Sequence, residues 1–147
     1  MNSEEKDFYK KMRSKINIWI ENNTGENKQW NEYILLAPDL FHLLTKLSID
    51  KEVPESKKIK LLAAIAYFIS PIDLLPEAIV GPIGFLDDIA LSAYVLNDII
   101  NNVDPKIVAR NWAGDKDILA LVKTILANAN NFLGGRIWNK IRRKVQV

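Results

Sequence analysis

Two adjoining stretches near the middle of the chain decide its fold: Tyr67-Phe68-Ile69-Ser70-Pro71-Ile72-Asp73-Leu74-Leu75-Pro76-Glu77, and then Gly81-Pro82-Ile83-Gly84-Phe85-Leu86-Asp87-Asp88. The segment that leads into the first stretch, Ile59–Ile69, is apolar on all sides, which predicts a buried central helix. Ser70, Pro71 and Asp73 fit the N-cap, first and third positions of a short helix. Asp87 and Asp88 fall where the next helix is expected to begin, so the motif reads as a corner between helices.

Outward from this corner, apolar residues recur at three- and four-residue steps, which is the spacing of one helical face. We expect helices at Glu4–Asn22, Trp30–Ser48 with a division at Pro38, Pro54–Ile69, Asp87–Asn101 and Asp104–Trp112, then one capped by Asp115 and a last one after Gly134-Gly135. On the central helix, we place Leu62, Ile65, Ala66 and Ile69 in the core. No segment alternates with period two, so we predict an all-α, compact single-domain multi-helix bundle with a central apolar helical hairpin.

Composition limits the kind of protein this can be. The chain has 147 residues, 48% of them apolar, a formal charge of +2 and no cysteine, so a disulfide framework, a thiolate nucleophile and a cysteine zinc site are excluded. The charged stretch Met1–Lys11 is unlike a secretory or transit signal, and we expect a cytoplasmic protein. The apolar run Leu61–Ile69 is too short to span a bilayer, although Leu61–Leu86 as a hairpin dipping into one leaflet is an alternative to a soluble core.

Charge is distributed unevenly, and the excess of basic residues lies at the C-terminal end. Residues 61–110 carry 2 basic and 6 acidic side chains, whereas residues 111–147 carry 7 basic and 2 acidic ones. The residues that we assign to anion or membrane contact are Arg136, Trp138, Lys140, Arg142, Arg143 and Lys144. They fit an interfacial amphipathic helix, and equally a final helix that buries Trp138 and leaves a solvated basic side. A protein partner or an anionic membrane surface is favoured over nucleic acid as the binding partner, and the sequence is compatible with a homo-oligomer.

A second interpretation of the corner is chemical. Asp73, Asp87 and Asp88 could converge there and hold Mg²⁺, Mn²⁺ or Ca²⁺, which prefer oxygen ligands, and such a metal would activate water for hydrolysis of a phosphate ester. The motif has no Lys or Arg to neutralise a phosphate. The only histidine, His42, lies on a Leu-rich helix, where we expect a packing role. A non-enzymatic role is therefore favoured, and the metal-dependent hydrolase is the alternative.

The corner resembles the YkvA-like family, a widespread bacterial domain of unknown function. Its hallmark is Tyr-x-x-Ser-Pro-x-Asp-x-x-Pro, a Gly-containing loop and an Asp-Asp pair, matched here by Tyr67, Ser70, Pro71, Asp73, Pro76, Gly84, Asp87 and Asp88. Glu77 stands where such domains usually have Asp. The similarity extends upstream through Asp50 and covers about residues 33–102. The resemblance implies no established activity for this chain. In the segment that corresponds to the apolar hairpin, some relatives look like membrane proteins.

Taken together, the patterns divide one globular domain into three consecutive parts. Residues 1–32 form an N-terminal helical extension, 33–102 the YkvA-like helical core, and 103–147 C-terminal helices with a basic amphipathic tail. The function that these parts favour is a helical interaction module, cytoplasmic or peripheral at a membrane.

Overall fold

The computed structural model describes residues 2–22, 28–69, 85–114 and 116–128, without the side chains at 19, 20, 22, 28–33 and 85–88. Its helices are α1 (Ser3–Asn22), α2 (Lys28–Ser48), α3 (Glu55–Ile69), α4 (Phe85–Asn102), α5 (Pro105–Asn111) and α6 (118–128). Within these ranges every regular element is helical, and the helices pack as a bundle. The predicted all-α fold is confirmed.

Helix starts follow local capping chemistry. At α1, the Asn2 N–H donates to Glu5 Oε1 at 2.9 Å and the Glu5 N–H donates to Asn2 Oδ1 at 2.8 Å, a reciprocal capping box. At α5, Asp104 is the N-cap and accepts from the Lys106 N–H, as its position before Pro105 predicted. At α6 the capping contact comes from Asp117, which accepts from the Leu119 N–H at 3.0 Å. The expected cap, Asp115, lies outside the described residues.

Helix α2 continues through Pro38, so the prediction that this proline divides it is wrong. Proline has no N–H to donate to the carbonyl four residues earlier, that of Ile34, and an interior proline costs about 3 kcal/mol. The side chains around the proline, Ile34, Ala37, Leu40 and Phe41, are fully buried. Packing on both sides of Pro38 outweighs the missing hydrogen bond, and the helix stays whole.

The centre of the bundle is α2 rather than α3. Helix α2 packs against α1, α3, α4 and α5, and its Leu40, Leu43, Leu44 and Leu47 have no exposed surface. Three aromatic rings join the first three helices: Phe41 lies 4.9 Å from Phe8 of α1 and 5.4 Å from Phe68 of α3, between ring centroids. Such tilted and edge-to-face pairs add to the burial of the rings themselves.

Candidate interaction surface

Helix α3 has two apolar sides, and within the described ranges only one of them packs against other helices. Leu61, Ala64, Ile65 and Phe68 are buried, and the helix packs on α2 and α4. On the opposite side Ile59 is 70% exposed and Leu62 is 55% exposed, and Ala63 and Ala66 are exposed as well. We call Ile59, Leu62, Ala63 and Ala66 the outer face of α3.

This arrangement corrects the expected core. Ile65 is buried as predicted, Ile69 is half-buried, and the placement of Leu62 and Ala66 in the core is wrong. A helix that is apolar on all sides is buried on all sides only if neighbouring elements cover each side. The spacing of Ile59, Leu62, Ala63 and Ala66 at i, i+3, i+4 and i+7 indicates a second apolar stripe, but it does not indicate whether a neighbour covers that stripe.

Lysines border the outer face. At about 100° per residue, Lys58 falls on one edge of the face and Lys60 on the other. Lys60 Nζ lies 3.4 Å and Lys57 Nζ lies 2.8 Å from the same oxygen, Oδ2 of Asp98 on α4. The other oxygen of Asp98, Oδ1, accepts from Asn102 Nδ2 at 2.8 Å. The ion contacts therefore tie α3 to α4 directly beside the outer face.

The charge state of Asp98 is set by two opposing effects. Partial burial of this side chain favours the neutral acid, but the hydrogen bond from Lys57 and the positive charges of Lys60 and Lys57 outweigh burial and lower the pKa of Asp98. The carboxylate is ionised at neutral pH, so it neutralises one of its two lysines and leaves the other in excess.

A second polar network fixes the start of α3. Asp50, in the connection between α2 and α3, accepts from Asn111 Nδ2 at 2.9 Å and from the Glu52 N–H at 2.9 Å. Arg110 Nη1 donates to Glu52 Oε2 at 2.8 Å. These contacts bind the connection to α5, so α3 is held at its N-terminal end as well as along its buried side. We call Asp50, Glu52, Arg110 and Asn111 the Asp50 network.

Most residues that the sequence singled out lie outside the described part of the chain. These are the corner residues Ser70, Pro71, Asp73, Pro76, Glu77 and Gly84 and the tail residues Arg136, Trp138, Lys140, Arg142, Arg143 and Lys144. Asp87 and Asp88 lie in the first turn of α4, which begins at Phe85, but their side chains are not described. The convergence of Asp73, Asp87 and Asp88 stays a prediction.

The described residues contain neither a metal-binding group nor a helix that could cross a membrane. No group of three or more His, Asp or Glu side chains in them is placed to hold a metal ion. In the same ranges, no helix combines the length and the hydropathy needed to cross a membrane.

His42 packs between helices. It is half-buried on α2, its ring centroid lies 6.4 Å from that of Tyr9 on α1, and its Nδ1 is buried without a hydrogen-bond partner among the described atoms. Burial and the charge of Lys46 lower the pKa of His42, against the opposing effect of Asp39. His42 is therefore neutral at pH 7 and contributes to the contact between α1 and α2.

The outer face of α3 lies in a segment that this chain shares with other proteins. The family model described as "Protein of unknown function (DUF1232)" matches residues 57–94, which include the whole outer face of α3. The chain is 30% identical to "Uncharacterized protein ORF9" of Methanothermobacter thermautotrophicus over 112 residues, 76% of this chain and 75% of that protein. No solved structure matches the chain significantly. These matches fit the YkvA-like resemblance, and the chain belongs to the DUF1232 family of proteins of unknown function.

Proposed function

We propose that the protein is a non-enzymatic helical interaction module and that the outer face of α3 is its contact surface. The observation that carries this proposal is the exposure of Ile59 and Leu62, at 70% and 55%, on a helix whose opposite side is buried in the bundle. Of the exposed large hydrophobic side chains in the described ranges (Ile18, Leu35, Ile49, Ile59 and Leu62), these two lie one helical turn apart. The other three are isolated from one another in sequence.

Energetics favour a partner for this face. Full burial of a Leu or Ile side chain is worth about 1.5–3 kcal/mol, so a partner that covers Ile59 and Leu62 gains a substantial part of that for each. Adjacent exposed apolar side chains with a polar border are typical of interaction sites, whereas single ones are ordinary surface.

The contacts that hold α3 in the bundle suit this role. The buried side of the helix packs on α2 and α4, Asp98 holds Lys57 and Lys60, and the Asp50 network holds the preceding connection. A surface that is already fixed in its bound orientation loses little conformational entropy when a partner binds. Nothing in this function requires a metal or a nucleophile.

Photo-crosslinking in cells tests the proposal. A photo-crosslinking amino acid is placed at position 62, and a matched control places it at position 101 on α4, which is also exposed. We expect covalent adducts to protein or lipid from position 62 and few from position 101, with both proteins folded to the same thermal stability. An equal and low yield from both positions would overturn the proposed contact surface.

A further inference from the structure

We infer that the attachment of α1 to the bundle weakens in acid, and that His42 is the residue that takes up the proton. Two observations carry this inference. The His42 ring lies at the contact between α1 and α2, and its buried Nδ1 has no hydrogen-bond partner within the described residues. The outer face of α3 has no part in this device.

Helix α1 depends on its contact with α2. Among the described helices, α2 is the main neighbour of α1. The buried side chains of α1 are Met12 and Ile16, and its Phe8 ring packs on Phe41 of α2. A helix with one main neighbour can open as a unit while the rest of the fold stays intact. A change at the contact between α1 and α2 therefore acts on α1 first.

Protonation changes what the His42 ring requires from its surroundings. The neutral ring carries one N–H, whereas the protonated ring donates from both nitrogens. Nδ1 is buried, and the described atoms offer it no acceptor. A buried donor without an acceptor is less stable than the same donor in water. Because the ring of Tyr9 packs on His42, opening of α1 gives the protonated ring access to water.

Most charges near His42 disfavour its protonation. Burial and the charge of Lys46, one turn further along α2, lower the pKa of His42. Asp39, one turn before, opposes them, and the N-terminal ammonium group adds a weaker effect in the same direction as Lys46. On the α1 side, the Tyr9 hydroxyl accepts from Arg13 Nη1 at 3.4 Å, so the charged group that α1 brings to this contact is also a cation.

The link between protonation and opening has a definite sign. The pKa of His42 lies below 6.5 while α1 is packed, so the opened form binds the proton more tightly. Above pH 6.5 both forms are neutral and α1 is held at full strength. As the pH falls below this value, the opened form takes up protons first and the attachment weakens. Opening uncovers Phe41, which is fully buried in the packed form.

Hydrogen–deuterium exchange of the full chain tests the inference, at about pH 7.5 and about pH 5.5 and with intrinsic exchange rates corrected for pH. We expect the protection of α1 amides to fall several-fold at the lower pH. One unit below the ordinary histidine pKa, the linkage limits this loss to about tenfold. Amides of α5 serve as the internal control and should keep their protection. In His42→Asn, the protection of α1 should be the same at both pH values.

Two charge variants distinguish a titrating His42 from one that only fills space. Lys46→Gln removes a cation beside the ring and should make the loss of α1 protection in acid smaller. Asp39→Asn removes the opposing carboxylate and should make this loss larger. Protection of α1 that does not change with pH, a loss in acid that His42→Asn retains, or charge variants that act in the same direction would each overturn the inference.

Discussion

Arg110 Nη2 donates to both carboxylate oxygens of Asp50, at 2.9 Å from Oδ2 and 3.0 Å from Oδ1, across 60 residues of sequence. The hydrogen bonds from Asn111 and from the Glu52 N–H, and after them the contact with Arg110, lower the pKa of Asp50 from 3.8 to about 2 against the opposing effect of burial. A carboxylate with this many donors is favoured in its ionised form, and folding is thereby linked to pH.

The first prediction concerns Asp50. Because its pKa is lower in the folded chain, its contribution to stability is complete above pH 3.8 and is lost as the pH falls through about 2. Asp50→Asn should lower the free energy of unfolding by about 1–2 kcal/mol at neutral pH, since it removes charge-assisted hydrogen bonds. Urea unfolding at a series of pH values should show the two proteins converging in acid. Glu55→Gln, at a 92% exposed position, is the control and should change little. A difference that does not depend on pH would contradict the assignment.

The second prediction compares two residues of α3. Ile65→Ala should cost about 2–5 kcal/mol through lost burial and a residual cavity, because Ile65 is only 5% exposed. Leu62→Ala, on the outer face, should stay within about 0.5 kcal/mol of the unsubstituted protein. Chemical denaturation of both variants measures the contrast. Equal costs at the two positions would mean that the outer face is buried.

The third prediction concerns His42. Its pKa lies below 6.5 in the folded chain, so the unfolded chain binds the proton more tightly, and stability should rise with pH until about pH 6.5 and then level off. Because His42 is the only histidine, NMR titration of its ring reads this pKa directly. His42→Asn should flatten the pH dependence of unfolding in this range. A ring pKa above 6.5 would contradict the buried, neutral assignment.

The fourth prediction concerns the turn between α5 and α6. A Cβ at Gly114 would overlap the indole ring of Trp112, at 2.6 Å from its Cε2. The ring is held in place because its Nε1 donates to the Lys116 carbonyl at 2.8 Å. Gly114→Ala should therefore destabilise the protein by about 1–3 kcal/mol, as overpacking does. Ala113→Ser, at the exposed neighbouring position, serves as the control. Equal melting temperatures of the two variants would show that the ring moves aside freely.

The fifth prediction concerns the corner aspartates. If Asp73 only starts a helix, Asp73→Asn should cost about 1 kcal/mol and leave no metal dependence to lose. Thermal unfolding with and without millimolar Mn²⁺ or Mg²⁺ checks this. A metal-induced rise in melting temperature that Asp73→Asn abolishes would instead favour the metal-dependent hydrolase.

Local signals in the sequence were sufficient to predict the helices, but they were insufficient to predict which sides of each helix other elements cover. Asp104-Pro105 predicted the start of α5 because capping depends on neighbours in sequence. The prediction at Pro38 was wrong because the packing that keeps α2 whole comes from other helices. The outer face of α3 was missed for the same reason, since an apolar residue does not itself indicate whether a neighbour covers it. The contact between Asp50 and Arg110 joins residues too far apart to show any periodic pattern.

The three-ring cluster of Phe8, Phe41 and Phe68 has a practical consequence for studies of this family. The segment that the family model recognises, residues 57–94, retains only Phe68 of the three rings. A polypeptide cut to that segment would expose Phe68 together with the side of α3 that α2 normally covers, and such a fragment would aggregate or bind lipid whatever the intact protein does. The recognised segment is thus a unit of sequence but not a unit of folding, and lipid-binding results obtained with the fragment alone would be artefacts of its missing helices.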